Sequence, residues 1–200
     1  LHRNLHYRGY KFIIKSSPEG YWFFCINATW INDMLKERGI RPRKFKELTW
    51  EDLAEVTESE AKKRLFSELQ PKNFWQMCDT LAITYAVYDL GDSQRVYEND
   101  WFYRYPIFTR EDIYEILLDE GFREEDALRV MEFVRRGGSM TNNLNMNEFL
   151  ELYDVPDGLA YAIGMCLKLP SREKVVMATL DLIEKAMERK RQKNTKEEPR

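Results

Sequence analysis

The sequence comprises 200 residues, of which 44% are hydrophobic and 14% aromatic, enough apolar surface for one sizeable core or a core with a small appendage. Its 31 basic and 34 acidic residues give a formal net charge of −3. A domain that binds nucleic acid unaided is usually net basic, because counterion release from phosphates supplies much of its affinity. Composition therefore argues against a disordered chain and against autonomous DNA binding. It does not exclude a local basic patch on the surface.

The N-terminal part has the pattern of a β-hairpin. Two segments rich in β-branched and aromatic residues, Tyr10–Lys15 and Tyr21–Ile26, flank a cluster of turn residues at 16–20. A helix capped by Asn27 or Thr29 and stopped at Gly39 would cover the hairpin, since two strands alone are marginally stable.

The next segments predict helices from their capping residues. A basic, proline-containing connector over residues 41–46 marks a boundary, and Thr49 and Ser59 have the sequence context of N-caps. Pro71 ends the second of these helices and opens another. That third helix presents an apolar stripe at helical spacing: Phe74, Met77, Cys78, Leu81 and Tyr85.

Residues 90–106 lack a period and predict a loop with a short extended piece at 101–105. Residues 109–138 then predict a tight helical hairpin, because Thr109 suits an N-cap, Gly121 suits a left-handed C-cap and Gly137-Gly138 would stop the second helix.

Three more helices are predicted: one within 145–154, one opened by Pro156 and one over about 171–191. The second should carry Leu159, Ile163 and Leu167. The last should bury one face made of Val175, Thr179, Leu182, Ile183 and Ala186. The sequence thus predicts a mostly α, multi-helical fold, with a β-hairpin plus helix over residues 1–46, a helical domain over 47–191 and a disordered tail over 192–200.

No catalytic constellation is evident. The only histidines are His2 and His6, no phosphate-binding glycine loop occurs, and the D-x-D pattern with which polymerases hold two metal ions is missing. Most acidic residues lie in predicted first turns, where capping explains them. We therefore predict no catalytic residue, no metal and no cofactor in this chain.

The three cysteines, Cys25, Cys78 and Cys166, lie far apart among apolar residues, which indicates buried thiols in a reducing compartment. No apolar run is long enough for a membrane span, and the first ten residues lack a signal-peptide core. A cytoplasmic location without membrane contact is expected.

Basic clusters are the remaining candidate site. A charge run is usually a solvated face, but several clusters on one surface would form a groove that follows a phosphate backbone. The candidate nucleic-acid-binding residues are Arg41, Arg43, Lys44, Lys62, Lys63, Arg135, Arg136, Lys168, Arg172 and Lys174.

Several motifs follow one another in an order found in a known family. Pro71-Lys-Asn-Phe74 precedes Ile107-Phe108, and a later segment reads Val130-Met-Glu-Phe-Val-Arg-Arg-Gly137. Over about residues 65–187 the chain resembles the fingers region of PolC-type alpha subunits of DNA polymerase III, in which a P-x-x-F helix is followed by a hairpin ending in I-M-E-x-V-R-K-G. Val155-Pro156 and Leu169-Pro170 fall where that family has a V-P helix start and an F-P-K-A-H-A motif.

The departures from that family concern its nucleotide contacts. Where the family carries a G-L-S-H-G segment, this chain has Leu81–Ala86, and Ser171 and Glu173 replace the lysine and histidine of the later motif. The resemblance therefore implies a fingers-like scaffold that has lost residues expected near the incoming nucleotide.

Three interpretations follow. The first is a non-catalytic fingers-like module, an accessory or interaction protein in DNA replication whose partner is DNA or a replication protein. The second is a fragment of a working DNA polymerase that contributes to nucleotide or template binding. The third is an unrelated helical protein-interaction domain.

Overall fold

The computed structural model describes residues 2–7, 10–16, 22–25, 48–90, 95–136 and 145–197. Within these ranges the chain forms nine α-helices and five short strands. The prediction of a mostly helical protein is confirmed. Among the described helices, none combines the length and the apolar character needed to cross a bilayer.

Three strands lie near the N-terminus: β1 (His2–Tyr7), β2 (Tyr10–Ser16) and β3 (Trp22–Cys25), in the sheet order β1-β2-β3. The last two fall on the segments predicted as a hairpin and are neighbours in the sheet. The first covers a segment for which no strand was predicted. The predicted helix between Asn27 and Gly39, the connector at 41–46 and the boundary at 46 lie outside the described residues.

The chain divides into two compact units. The first unit comprises Leu1–Arg3, Ile14–Phe24 and Tyr85–Arg172. The second comprises Asn4–Ile13, Cys25–Thr84 and Glu173–Arg200. The helices are thus shared between two units, a division that the sequence pattern did not predict.

The first described helices of the second unit are α1 (Trp50–Val56) and α2 (Glu60–Leu69), which pack against each other. The Asp52 carboxylate accepts a hydrogen bond from the Thr49 N–H at 2.9 Å. The Ser59 hydroxyl accepts one from the Lys62 N–H at 3.4 Å. These hydrogen bonds confirm both predicted N-caps. Each of them joins residues only three positions apart.

The helix α3 (Phe74–Tyr85) follows Pro71 and buries most of its predicted stripe. Phe74, Met77, Cys78 and Leu81 are buried, and Tyr85 is half-buried. The spacing of these residues was therefore a sound guide to the inward face.

The long helix α9 (Arg172–Glu197) contributes the rest of the second unit from Glu173 onwards. The predicted end at Arg191 is wrong, since the helix continues to Glu197. Beyond Arg191, the Lys193 ammonium lies 2.7 Å from the Glu55 carboxylate of α1, and Arg189 lies 2.9 Å from the same side chain. These ion pairs connect the C-terminal part of α9 to α1. The α9 residues beyond Arg191 include no apolar side chain that could pack there.

The first unit contains β4 (Val87–Tyr88), a short 3₁₀ turn (Val96–Glu98) and α4 (Asp100–Arg104). The extended piece predicted at 101–105 is wrong, because this segment is helical. Trp101 and Phe102 are buried and meet edge to face, with ring centroids 5.6 Å apart. Tertiary burial of the aromatic rings outweighs their preference for strands.

The predicted helical hairpin consists of α5 (Arg110–Asp119) and α6 (Glu124–Arg135). Gly121 has a φ of 90°, the left-handed conformation predicted for it. Between the helices, the Tyr114 hydroxyl donates to the Glu124 carboxylate at 2.9 Å. The predicted stop at 137–138 lies outside the described residues.

The unit is completed by α7 (Met146–Leu152), α8 (Asp157–Gly164) and β5 (Cys166–Lys168). Phe149 of α7 stacks on Phe133 of α6, with ring centroids 3.9 Å apart. The strands β4 and β5 pair antiparallel, with Tyr88 opposite Cys166. The prediction that this helix carries Leu167 is wrong: α8 ends at Gly164, and Leu167 lies half exposed in β5.

Candidate functional site

The candidate basic residues are divided between the two units. Arg41, Arg43 and Lys44 lie outside the described residues. Lys62, Lys63 and Lys174 belong to the second unit, and the first holds the remaining four: Arg135, Arg136, Lys168 and Arg172. The groove predicted from their convergence therefore stays a prediction.

Several of these cations are bound by carboxylates of their own helix. Lys63 pairs with Glu60 at 2.5 Å. In α6, the Arg135 guanidinium lies 2.8 Å from the buried Glu132 carboxylate, and Arg136 approaches the same group at 3.8 Å. The hydrogen bond that Arg135 donates to the Glu132 carboxylate raises the pKa of Arg135. A phosphate at these positions would compete with an existing carboxylate partner.

Lys168 and Lys174 are the two most C-terminal lysines of the candidate set. Lys168 is exposed in β5, and Lys174 is exposed in the first turns of α9. Both are surface lysines, and they belong to separate units.

Arg172 is the best-organised member of the candidate set. Its side chain is only 15% exposed and reaches two acidic residues of α5. One guanidinium nitrogen donates to Glu115 at 2.6 Å, and the other donates to Asp112 at 2.7 Å and to Glu115 at 2.6 Å. Burial alone would lower the pKa of Arg172, but the hydrogen bonds and charges of Glu115 and Asp112 raise it. The guanidinium is therefore a fixed cation held between carboxylates.

The backbone on either side of Arg172 is also attached to the start of α5. The Arg110 N–H donates to the carbonyl of Pro170 at 3.2 Å. The Arg172 N–H donates to the Glu111 carboxylate at 2.8 Å. We call this set, Arg110, Glu111, Asp112, Glu115 and Arg172, the Arg172 cluster.

Glu111 is the buried acid of the Arg172 cluster, with 2% of its surface exposed. Burial raises its pKa, although the Arg110 charge and the Arg172 N–H act in the opposite direction. The Arg110 guanidinium donates to it at 3.2 Å. A buried acid with a raised pKa occurs in catalytic sites and in structural ion-pair networks alike. Here each carboxylate oxygen has a protein donor, which favours the structural role.

Burial likewise governs Tyr88 and Cys166, which face each other across the β4–β5 pair. The Tyr88 hydroxyl donates to the Ile107 carbonyl at 2.9 Å, and burial raises the pKa of Tyr88 well above its ordinary value. Burial raises the pKa of Cys166 to about 12, and its thiol lies 3.3 Å from the Ala162 carbonyl. A thiol that stays protonated is a poor nucleophile, so Cys166 is a packing residue.

A metal site needs several ligand side chains close together. Within residues 48–90, 95–136 and 145–195, no three His, Cys, Asp or Glu side chains come together in a group that could hold a metal ion.

The sequence identified Asp112 as a capping residue, and this role is confirmed: its carboxylate accepts from the Thr109 N–H at 2.6 Å and the Phe108 N–H at 2.9 Å. It did not reveal that the same side chain binds Arg172, which lies 60 positions away. The acid-rich start of α5 was the available signal, but nothing in the sequence indicated which cation it meets.

Exposed apolar side chains are the second notable feature of the first unit. Tyr103 of α4, Leu152 of α7 and Tyr161 of α8 are 74%, 67% and 59% exposed. Large apolar groups at the surface are common singly, but several on packed neighbouring helices are typical of protein-binding surfaces. The helix α8 packs against both α4 and α7.

Fold and site together define a mostly helical protein with a short antiparallel strand pair and a partly buried arginine–carboxylate cluster. No known protein family matches the chain, and no curated protein matches it.

Proposed function

We propose that this chain is a non-catalytic, fingers-like module related to PolC-type alpha subunits of DNA polymerase III, and that it serves DNA replication as an accessory protein that binds another protein. The resemblance supplies the replication context. The described residues supply the arguments for a non-catalytic, protein-binding role.

The positions of the helices support the relationship. The helix α3 begins at Phe74 of the Pro71-x-x-Phe74 motif, and α6 carries the Val130–Arg135 motif as the second helix of a hairpin. Val155-Pro156 directly precedes α8. The helical location of these three motifs supports the relationship.

The observation that carries the non-catalytic role is the arrangement around Arg172. In the family motif aligned with Leu169–Glu173, a lysine and a histidine occupy the positions of Ser171 and Glu173. Arg172, which stands where that motif has alanine, binds Asp112 and Glu115 at 2.6 to 2.7 Å. Because its donors already face two carboxylates, a triphosphate would have to displace both.

Surface chemistry favours a protein partner over nucleic acid. Lys63 and Arg135 pair with acidic residues of their own helices, while Tyr103, Leu152 and Tyr161 are exposed. Affinity for nucleic acid rests on unneutralised cations, whereas aromatic and aliphatic anchors dominate protein interfaces.

Titration calorimetry with each deoxynucleoside triphosphate and Mg²⁺ tests the non-catalytic role, and we expect no binding heat. Magnesium-dependent affinity would overturn the proposal and favour a fragment of a working polymerase. A second experiment immobilises the chain and measures binding of purified primase, helicase, sliding clamp and polymerase. Binding of at least one is expected, and binding of none would favour an unrelated interaction domain.

A further inference from the structure

We propose that the exposed surface of α7 and α8 binds a cationic amphipathic segment of a partner protein, with basic side chains flanking apolar ones. This inference rests on the proposed protein-binding function and names the chemistry of the partner. We call the residues concerned the α7–α8 surface: Glu148, Glu151, Leu152, Asp154, Asp157 and Tyr161.

The apolar part of the α7–α8 surface consists of two large side chains that the fold does not use. Leu152 is 67% exposed and Tyr161 is 59% exposed. The core contacts of the same helices come from other positions, including Phe149, Leu159 and Ile163. Leu152 and Tyr161 therefore add little to packing and are available as anchors for a partner.

The charged residues of the sequence stretch that carries these two side chains all have one sign. Residues 145–167 contain four acidic residues, each three positions after the last, and no Lys, Arg or His. All four carboxylate side chains are exposed, and no cation of the described residues forms an ion pair with any of them. The Arg129 guanidinium approaches this stretch but lies 3.4 Å from the Tyr153 hydroxyl.

Helix capping accounts for two of the four acids. The Glu148 carboxylate accepts from the Asn145 N–H at 2.9 Å, and Asp157 lies in the first turn of α8. Glu151 lies in the last turn of α7, where a negative charge is unfavourable next to the helix dipole. Asp154 has a φ of 52°, a left-handed conformation that glycine or asparagine also adopts. The backbone conformation therefore does not account for a negative charge at this position.

The charge pattern indicates the chemistry of the partner that this surface would bind. A phosphate backbone would be repelled by four carboxylates, whereas a segment with Lys or Arg beside leucines would find both ion-pair partners and apolar anchors. The basic amphipathic helix is the common peptide form of this chemistry.

The test uses the full chain and two labelled peptides with leucines at helical spacing, one with lysines and the other with glutamates between them. Fluorescence anisotropy should show binding of the lysine peptide that weakens as salt increases. Equal binding of the glutamate peptide would overturn the proposal.

Variants with matched controls locate the site. Glu151→Lys with Asp154→Asn should weaken binding about ten-fold or more, and both changes suit their backbone positions. The control, Asp119→Asn with Glu120→Lys, alters exposed acids at the end of α5 and should leave affinity unchanged. Leu152→Ser should weaken binding, whereas Leu167→Ser, at a side chain 49% exposed in β5, should not. Equal losses in test and control variants would overturn the assignment.

Two further measurements separate this inference from the proposed function. Sedimentation should show that the free chain forms no assembly that the lysine peptide dissociates. An assembly that the peptide dissociates would mean that a second copy of the chain occupies this surface. The Glu151→Lys, Asp154→Asn variant is then assayed against the replication proteins. Retained partner binding refutes the site and leaves the function standing. Peptide binding at this surface without any replication partner refutes the replication role alone.

Discussion

The Glu111 carboxylate accepts a hydrogen bond from the backbone N–H of Arg172 at 2.8 Å, although the two residues lie 61 positions apart. Arg172 is the first residue of α9, so its N–H has no acceptor within that helix. The Glu111 side chain, from α5, supplies the acceptor. The Arg172 guanidinium in turn binds Asp112 and Glu115 of the same helix. The two segments are thus joined through both backbone and side chain.

Removing the Glu111 acceptor should destabilise the protein more than neutralising it. Glu111→Ala leaves the Arg172 N–H without its partner, at a cost of about 1–3 kcal/mol. Glu111→Gln keeps a carbonyl oxygen in place and removes a buried charge, so its free energy of unfolding should lie close to that of the wild type. Urea unfolding followed by circular dichroism measures both. Equal stability of the two variants would contradict the role given to this hydrogen bond.

The raised pKa of Glu111 predicts a pH-dependent contribution to stability. Its pKa in the folded protein lies above the ordinary 4.5, so between that value and the raised one the folded state binds more protons than the unfolded state. The contribution is present at lower pH and is lost as pH rises through the raised pKa. The stability of the wild type relative to Glu111→Gln should therefore fall across this window. Urea midpoints for both proteins from about pH 4 to pH 8 test this, and a constant difference would refute it.

The ion pairs of Arg172 should matter more than an exposed pair of similar geometry. Arg172→Ala leaves Asp112 and Glu115 without their cation, and because Glu115 is 56% exposed the expected loss is about 1–3 kcal/mol rather than the full cost of a buried pair. The control is Arg123→Ala. Arg123 pairs with Asp126 at 2.8 Å but is itself 79% exposed, so its loss should stay within about 0.5 kcal/mol. Similar losses in thermal unfolding would show that burial does not distinguish the two pairs.

Local signals predicted the helix ends well. Thr49 and Asp52, like Thr109 and Asp112, are three residues apart, so the capping contact is settled by neighbouring atoms alone. Gly121 was recognisable because a left-handed residue between two helices is usually glycine. Such features depend on no distant part of the chain.

Features decided by distant contacts were missed. The aromatic residues at 101–105 suggested an extended piece, yet Trp101 and Phe102 enter the core on a short helix. Leu167 fitted a helical period but lies in a strand paired with β4. Positive charge is the only signal that the sequence offers at Arg172, because no sequence pattern shows that Asp112 and Glu115 neutralise it.

Two glycines with open space around them provide a test of backbone strain free of steric conflict. A Cβ added at Gly121 or at Gly164 would meet nothing within 4 Å. Gly121 has a φ of 90°, so Gly121→Ala should cost about 1 kcal/mol. Gly164 is the last residue of α8 and has no positive φ, so Gly164→Ala should stabilise the protein by about 0.5 kcal/mol. Thermal unfolding should therefore move in opposite directions for the same substitution. A shift of the same sign in both variants would mean that backbone conformation does not determine the effect at these positions.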